Sequence, residues 1–332
     1  MDSTYNYLAD RALDLLGSNS RVLILLIGIP GSGKSTLAKN VVDILNSRFE
    51  KHNELQNQKV NFQQSEHNSG SFQENKLVTG DFVSKLEDFN SNSEIPLEDE
   101  YYVPKKIKKK NEIIISGRCE DNSIKLVYPK FSSKHTSNDF AQIVPMDGFH
   151  LSRKVLKQFK DPDRAILRRG SPFTFDSKMV ATLIKLLAST CTRKTLNPPI
   201  DKFQLIDGSI TGIPDIYVPN FIHELKDPTP FGIPIKSTAK ILIIEGLYLL
   251  LNQGPWKSIY YSLSRNHEIC YEIWKIEVEF NVARERVAKR HYESGGSTTT
   301  EEGYERFDIN DRPNGKLVEF NSFSADHYIQ SI

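Results

Sequence analysis

Residues 28–36 read Gly28-Ile29-Pro30-Gly31-Ser32-Gly33-Lys34-Ser35-Thr36. A glycine, four residues and then Gly-Lys-Ser is the spacing of a P-loop, whose chemistry is the grip on a polyphosphate. Glycines at 28, 31 and 33 let backbone N–H groups turn inward around phosphate oxygens at the positive end of a helix. Lys34 would reach the β- and γ-phosphates, and the Ser35 hydroxyl would hold Mg²⁺. The spacing therefore predicts a nucleoside triphosphate site, with ATP and Mg²⁺ as its occupants. Two carboxylates further along, Asp147 and Glu245, each close a short apolar run. Acids in such places have two jobs available beside a phosphate: holding Mg²⁺, and accepting the proton of an attacking hydroxyl. Arg286 and Arg290 stand at i, i+4 on one basic helix, where they would neutralise charge developing on a transferred phosphoryl group. His150, three residues beyond Asp147, either contacts a substrate or orders its loop. The pair Arg168-Arg169 is either an anion clamp or a solvated basic face.

These residues need elements to hold them. The run Val22-Leu23-Ile24-Leu25-Leu26-Ile27 predicts a fully buried strand leading into the glycines. Apolar residues at 37, 38, 41, 42, 44, 45 and 49 predict a helix leading out of them. Residues 5–16 have helical spacing and end at Gly17, a structural helix beside the first strand. Gln142–Met146 and Ile241–Ile244 read as further buried strands, and Ile273–Phe280 as another. Pro145 points to the entry or a bulge of its strand. Asp176 is a good N-cap for a helix over Ser177–Leu187. Val282–Tyr292 is the basic helix, ended by Gly295-Gly296, and Val318 with Phe320 suggests a short last strand. Strands alternating with helices imply an α/β fold with a mostly parallel central sheet, covered on both faces.

Between these lies polar sequence. From His52 to Asn138 Asn, Ser, Gln, Glu and Lys dominate, and the composition predicts a partly mobile insertion. Within it Glu112–Ser116 and Ile124–Tyr128 are expected to pair as a hairpin. Lys105–Lys110 is expected as a solvated loop after the acidic patch Glu98-Asp99-Glu100, with a nuclear signal as the other reading. The stretch 192–238 is rich in proline and is expected to be mostly loop with short extended pieces. The expected division is 1–51 for the first strand, P-loop and its helix, 52–138 for the insertion, and 139–332 for the rest of the core.

Composition bounds the partners. A net charge of +1 over 332 residues is not the strongly basic face that general nucleic-acid binding needs. Three scattered cysteines fit neither a metal spacing nor a disulfide framework. No apolar run approaches the roughly 20 residues of a membrane helix, and no secretory signal opens the chain. An intracellular, cytoplasmic protein is the expectation. No Asn-Lys-x-Asp stretch is present to read guanine, and no Leu-Ser-Gly-Gly precedes a helix, which argues against switch GTPases and ABC-type ATPases.

Gly28–Thr36, Met146-Asp147-Gly148-Phe149-His150, Gly170-Ser171-Pro172 with Thr174-Phe175-Asp176, and Ile244-Glu245-Gly246 together resemble the phosphoribulokinase/uridine kinase group. That group of P-loop kinases includes bacterial-type pantothenate kinases. Tyr217-Val218-Pro219-Asn220-Phe221 with Lys226-Asp227-Pro228 resembles the fungal ATP-dependent kinases of the group. The resemblance spans about residues 20–50 and 140–292. It implies the P-loop three-layer fold and phosphoryl transfer from ATP to a hydroxyl of a small metabolite, of sugar, nucleoside or pantothenate type. The family's strand-end base or Mg²⁺ organiser corresponds to Asp147, its acid before glycine to Glu245, and its lid arginines to the 284–290 region. The uridine kinases' own substrate pattern is absent, and Thr298-Thr299-Thr300 stands where a basic lid stretch is expected. An ATP-binding regulatory protein with little turnover is the alternative.

If residues 28–36 hold the nucleotide, Mg-ATP at about 100 times its dissociation constant should stabilise the fold by roughly 2.7 kcal/mol. Lys34→Ala should lose most of that gain in a thermal melt, and an undiminished gain would remove the assignment.

Overall fold

The structure is a computed structural model that describes residues 2–17, 19–63, 102–128, 140–191, 193, 203, 213–222 and 224–331. Glu98-Asp99-Glu100, most of the polar insertion and Pro198-Pro199 lie outside these residues.

The apolar run at the start of the core forms β1 (Val22–Gly28), with every residue buried. Its neighbours are β8 (Ile241–Gly246) and β9 (Tyr271–Glu277), both parallel to it. With β5 (Ala141–Pro145) and β10 (His327–Gln330) they make a parallel sheet in the order β10-β9-β1-β8-β5. Side chains alternate across the pleat, so β1 feeds two cores. Leu23, Leu25 and Ile27 join the core on one face, and Val22, Ile24 and Leu26 the core on the other. Each such buried side chain is worth about 1.5–3 kcal/mol. α1 (Asp2–Leu16) and α2 (Lys34–Gln63) cover the second face through Leu8, Ala12, Leu16, Leu37, Val41 and Leu45. α2 continues past the change of composition at His52.

On the first face lies α5 (Ser177–Thr190), capped as expected by Asp176, whose side chain accepts from the Met179 N–H. α6 (Lys257–Ser264) packs beside it. Here also lies a second sheet, antiparallel, in the order β2-β3-β4-β6-β7. β2 (Lys105–Lys109), β3 (Glu112–Ser116) and β4 (Ile124–Val127) come from between α2 and β5. β6 (Asp215–Ile222) and β7 (Asp227–Ile235) come from between α5 and β8. β3 and β4 pair as the expected hairpin.

Three local expectations are corrected. The lysine-rich piece is not a loop: it pairs with β3 as the outer strand β2, and lysines on an edge strand discourage further pairing. The proline-rich stretch contains two long strands. Pro228, Pro230 and Pro234 sit in β7, the last strand of its sheet, where a missing N–H need cost no ladder bond. Pro219 falls at a register irregularity of β6, another place where proline is tolerated. Finally, Val318 and Phe320 belong to a helix, α9 (Arg312–Phe320), with Val318 buried and Phe320 exposed. Two apolar residues two apart do not distinguish the periods, and the last strand is β10.

Among the described residues no helix is long and apolar enough to cross a membrane. Two short helices, α3 (Arg153–Leu156) and α4 (Pro162–Leu167), follow β5, and α7 (Phe280–Glu293) and α8 (Thr300–Arg306) follow β9.

The second sheet shares a core with β1 and β8 through Ile115, Leu126, Ile216 and Val218, and at one point its backbone comes especially close. After β5 the chain makes a single 3₁₀ turn, Met146–Phe149, and a Cβ at Gly148 would overlap the Pro219 carbonyl. Gly148→Ala should therefore force β6 off the turn and cost about 1–3 kcal/mol, read as a lower midpoint in a circular-dichroism melt. An unchanged midpoint would mean the contact is not tight.

Candidate active site

The C-terminal ends of three adjacent strands, β1, β8 and β5, come together at one edge of the parallel sheet, where ligands bind in open α/β sheets. β1 ends in residues 28–36. Gly31 and Gly33 adopt φ of +81° and +90°, values that side-chain-bearing residues rarely take. The loop then runs into α2, with Leu37 N–H on the Gly33 carbonyl at 2.9 Å. Lys34 Nζ donates to the carbonyls of Gly28 (2.7 Å) and Ile29 (3.1 Å). Ser35 Oγ donates to Glu245 Oε2 at 2.8 Å. Ser32 Oγ is buried and has no hydrogen-bond partner among the described residues. Lys34 and Ser35 thus keep their donors on the loop's own carbonyls and on one acid.

The charges here are mutually dependent. Burial lowers the Lys34 ammonium to about 8, against the pull of Glu245 and Asp147, and Arg290 lowers it further. Burial raises the Glu245 carboxyl, opposed by the Ser35 hydrogen bond and by Lys34, while Asp147 adds to the rise. Glu245 is the last residue before Gly246 in β8. Asp147 lies on the 3₁₀ turn after β5, exposed, and its charge reaches Lys34 and Glu245. The two carboxylates expected from the sequence do share the loop's edge.

The other expected residues divide. His150 puts Nδ1 2.8 Å from the Asp147 carbonyl. Its ring lies against Phe175 (3.9 Å between centroids) and Phe221 (4.9 Å), so it braces the turn that carries Asp147. Arg169 donates to Asp227 Oδ1 at 2.7 Å, to the Leu151 carbonyl at 2.9 Å and to the Lys226 carbonyl. That side chain ties its turn to β7. Arg168 donates to the Ile309 carbonyl and to Asn314 Oδ1 at 3.3 Å. Arg286 donates to Ser331 Oγ at 2.7 Å and, at 3.4 Å, to the Gly31 carbonyl, and Ser331 Oγ donates to the Ser32 carbonyl at 2.8 Å. Arg286 therefore braces the loop backbone. Arg290, one turn on, is the arginine whose charge acts on Lys34. Arg284 faces elsewhere, paired with Asp308 at 2.8 Å and lying over the Tyr304 ring.

Three polar residues at the site were not expected. Tyr248, wholly buried, donates to the Gly170 carbonyl at 2.6 Å. Asn314 Nδ2 donates to the same carbonyl at 3.2 Å, and Asn314 Oδ1 accepts from Ser171 Oγ at 3.0 Å. Asp311 ends a π-helical turn, Phe307–Asp311. Burial raises its carboxyl to about 6, against the pull of Arg290, Arg306, Lys34 and Arg168. No local signal in the sequence marks Asp311, since the helices on either side of it were not expected there.

No family model matches the sequence. Known proteins do. The chain is 37% identical over 341 residues to an ATP-dependent kinase YFH7 of Lachancea thermotolerans, covering 97% of this chain and 96% of that one. An ATP-dependent kinase YFH7 of Saccharomyces cerevisiae is 36% identical over 352 residues, covering 97% of each. Among solved structures, YFH7 from Saccharomyces cerevisiae, described as a candidate P-loop containing kinase with a circular permutation, superposes with a TM-score of 0.73. Sequence identity in that match is 33%, over 98% of both chains. A candidate fructose transport system kinase from Silicibacter sp. TM1040 matches at a TM-score of 0.54 and 17% identity, over 98% of each chain, which is a likeness of fold. A P-loop at the head of α2, acids at the next two strand ends and relatives matched along their whole length place the chain in the YFH7 family of ATP-dependent kinases.

Proposed function

We propose that this chain transfers the γ-phosphoryl group of ATP to a hydroxyl of a small molecule. The observation that carries the reading is the exposed Asp147 carboxylate, at a strand end beside a phosphate-type loop and against the wall made by β6. Glu245, bonded to Ser35, is placed for Mg²⁺, which leaves Asp147 for the proton of an attacking hydroxyl.

In this reading Lys34 leaves the Gly28 and Ile29 carbonyls for the β- and γ-phosphates, and the buried Ser32 hydroxyl gains a phosphate partner. The pair Ser35–Glu245 is of the right chemistry for Mg²⁺, an oxygen-seeking ion that usually binds through one or two protein ligands plus phosphates and water. Among the described residues no three His, Cys, Asp or Glu side chains form a metal cage, so the phosphates would complete the shell. When bound, Mg²⁺ neutralises charge on the β- and γ-oxygens. Asp147 orients the acceptor hydroxyl and takes its proton as the new O–Pγ bond forms and the bond from Pγ to the β-phosphate oxygen breaks, releasing ADP. Arg290 adds positive charge where the transferred group is most anionic. His150 keeps the Asp147 turn in place.

A panel of hydroxyl-bearing metabolites scored by ADP release, with Lys34→Ala as control, tests the reading. At least one acceptor should raise ADP release in the native chain alone, and no response above background from any would count against it. With that acceptor Asp147→Asn should lower turnover by about 10²–10⁴-fold, the usual worth of a general base, with little change in ATP affinity. Full turnover in that variant would remove Asp147 from the chemistry. Glu245→Gln should raise the Mg²⁺ concentration needed for half activity, and an unchanged requirement would take Glu245 out of the metal site.

A further inference from the structure

The segment from Ile309 to Asn314 is clamped over the site. Arg168 donates to the Ile309 carbonyl and to Asn314 Oδ1, Ser171 Oγ donates to Asn314 Oδ1, and Asn314 Nδ2 donates to the Gly170 carbonyl. Tyr248, three residues after Glu245, donates to that same carbonyl. These bonds hold both ends of the segment against residues 168–171, which Tyr248 in turn ties to the chain just after Glu245. Asp311 stands between the two clamped ends, on the last residue of a π-helical turn. Such turns are uncommon and frequently mark functional positions.

The Asp311 carboxylate accepts no hydrogen bond and forms no close ion pair among the described residues, although four cations lie near enough to act on it. Beside it Asn310 Oδ1 is buried without a partner. Asn310 Oδ1 is thus a buried acceptor without a donor, where such atoms are normally paired, and the half-buried Asp311 carboxylate beside it has no protein donor among the described residues either. The acid also shares its surroundings with Asp147, since both act on the Tyr248 hydroxyl. Meanwhile both arginines of the expected anion clamp are engaged: Arg169 with Asp227, Leu151 and Lys226, and Arg168 with Ile309 and Asn314.

We infer that Asp311 binds the acceptor, taking a hydrogen bond from a second hydroxyl of a neutral polyol while Asp147 faces the hydroxyl that reacts. This rests on the kinase reading above and narrows it. A carboxylate lacking a donor is complementary to a hydroxyl. It repels a substrate that already carries a phosphate or carboxylate, and such repulsion is a means of specificity. Lys34 and Arg290 serve the donor's phosphates. A neighbouring acid helps those phosphates only through Mg²⁺, a place the Ser35–Glu245 pair already takes in this reading, which leaves Asp311 to the acceptor side.

The test uses the full chain at saturating Mg-ATP and follows ADP release with two sets of probes. One set is neutral polyols such as glycerol, ribose and ribitol, and the other the same skeletons bearing a phosphate. Neutral polyols should be the better acceptors. Asp311→Asn should raise their KM by about tenfold or more, the scale of one hydrogen bond to a charged group, with kcat changed less than about threefold. The Mg²⁺ requirement should not move, which separates acceptor binding from a metal role. Asp311→Ser serves as a second variant, and both variants must keep the melting shift with Mg-ATP that reports a folded nucleotide site. If neither variant keeps it, Asp311 is structural and the inference fails. Turnover with phosphorylated probes alone, an unchanged KM, or a change only in the Mg²⁺ requirement would also overturn the inference and leave the kinase reading standing. If neither probe set raises ADP release, the kinase reading falls and this one with it.

Discussion

The site depends on how closely one helix backbone can lie against the phosphate loop. A Cβ built on Gly31 would stand 2.5 Å from the Ala283 carbonyl, so only a bare Cα lets α7 sit where it does. Around that contact a small third core forms from Ile29, Ala283, Val287 and Phe307, with Phe280 packed against it. Gly315, at the far side, lies near Phe280 and Ile29, which brings α9 into the same body. The loop, the basic helix, the π-helical turn and α9 are therefore packed as one unit, and Arg286 with Ser331 adds a polar brace across it. Arg290 and Asp311 hold their positions relative to Lys34 because this core does.

The same unit explains the local electrostatics. Lys34 is lowered mainly because it is shut in, and Asp311 is raised for the same reason. Crowding cations and acids without pairing them is costly in a folded protein. Such strain tends to persist where a ligand resolves it. A polyphosphate would draw Lys34 and Arg290 toward itself and relieve the Gly28 and Ile29 carbonyls of a role that any water could fill.

What could be read from the sequence was set by how local each signal is. The loop spacing, the unbroken apolar run of β1 and the Asp176 cap act within a few residues, and all three stand as expected. β6 and β7 were missed because their prolines argue against strands unless one knows which positions are edges, and edges are a tertiary fact. The pairing partner of β4 lies about ninety residues downstream in β6, beyond the reach of any periodicity. Arg169 could not be told from an anion clamp, since its partner Asp227 arrives only when β7 folds back. Asp311 was invisible for the same reason: its meaning comes from Arg168, Asn314 and Tyr248, which the fold alone brings together.

Transfer to an acceptor hydroxyl is read directly by phosphorus-31 NMR of the full chain with Mg-ATP and a responsive acceptor. A new phosphomonoester signal should grow one for one with ADP and be absent with Lys34→Ala. Inorganic phosphate as the sole phosphorus product beside ADP, at a rate indifferent to the acceptor, would contradict it.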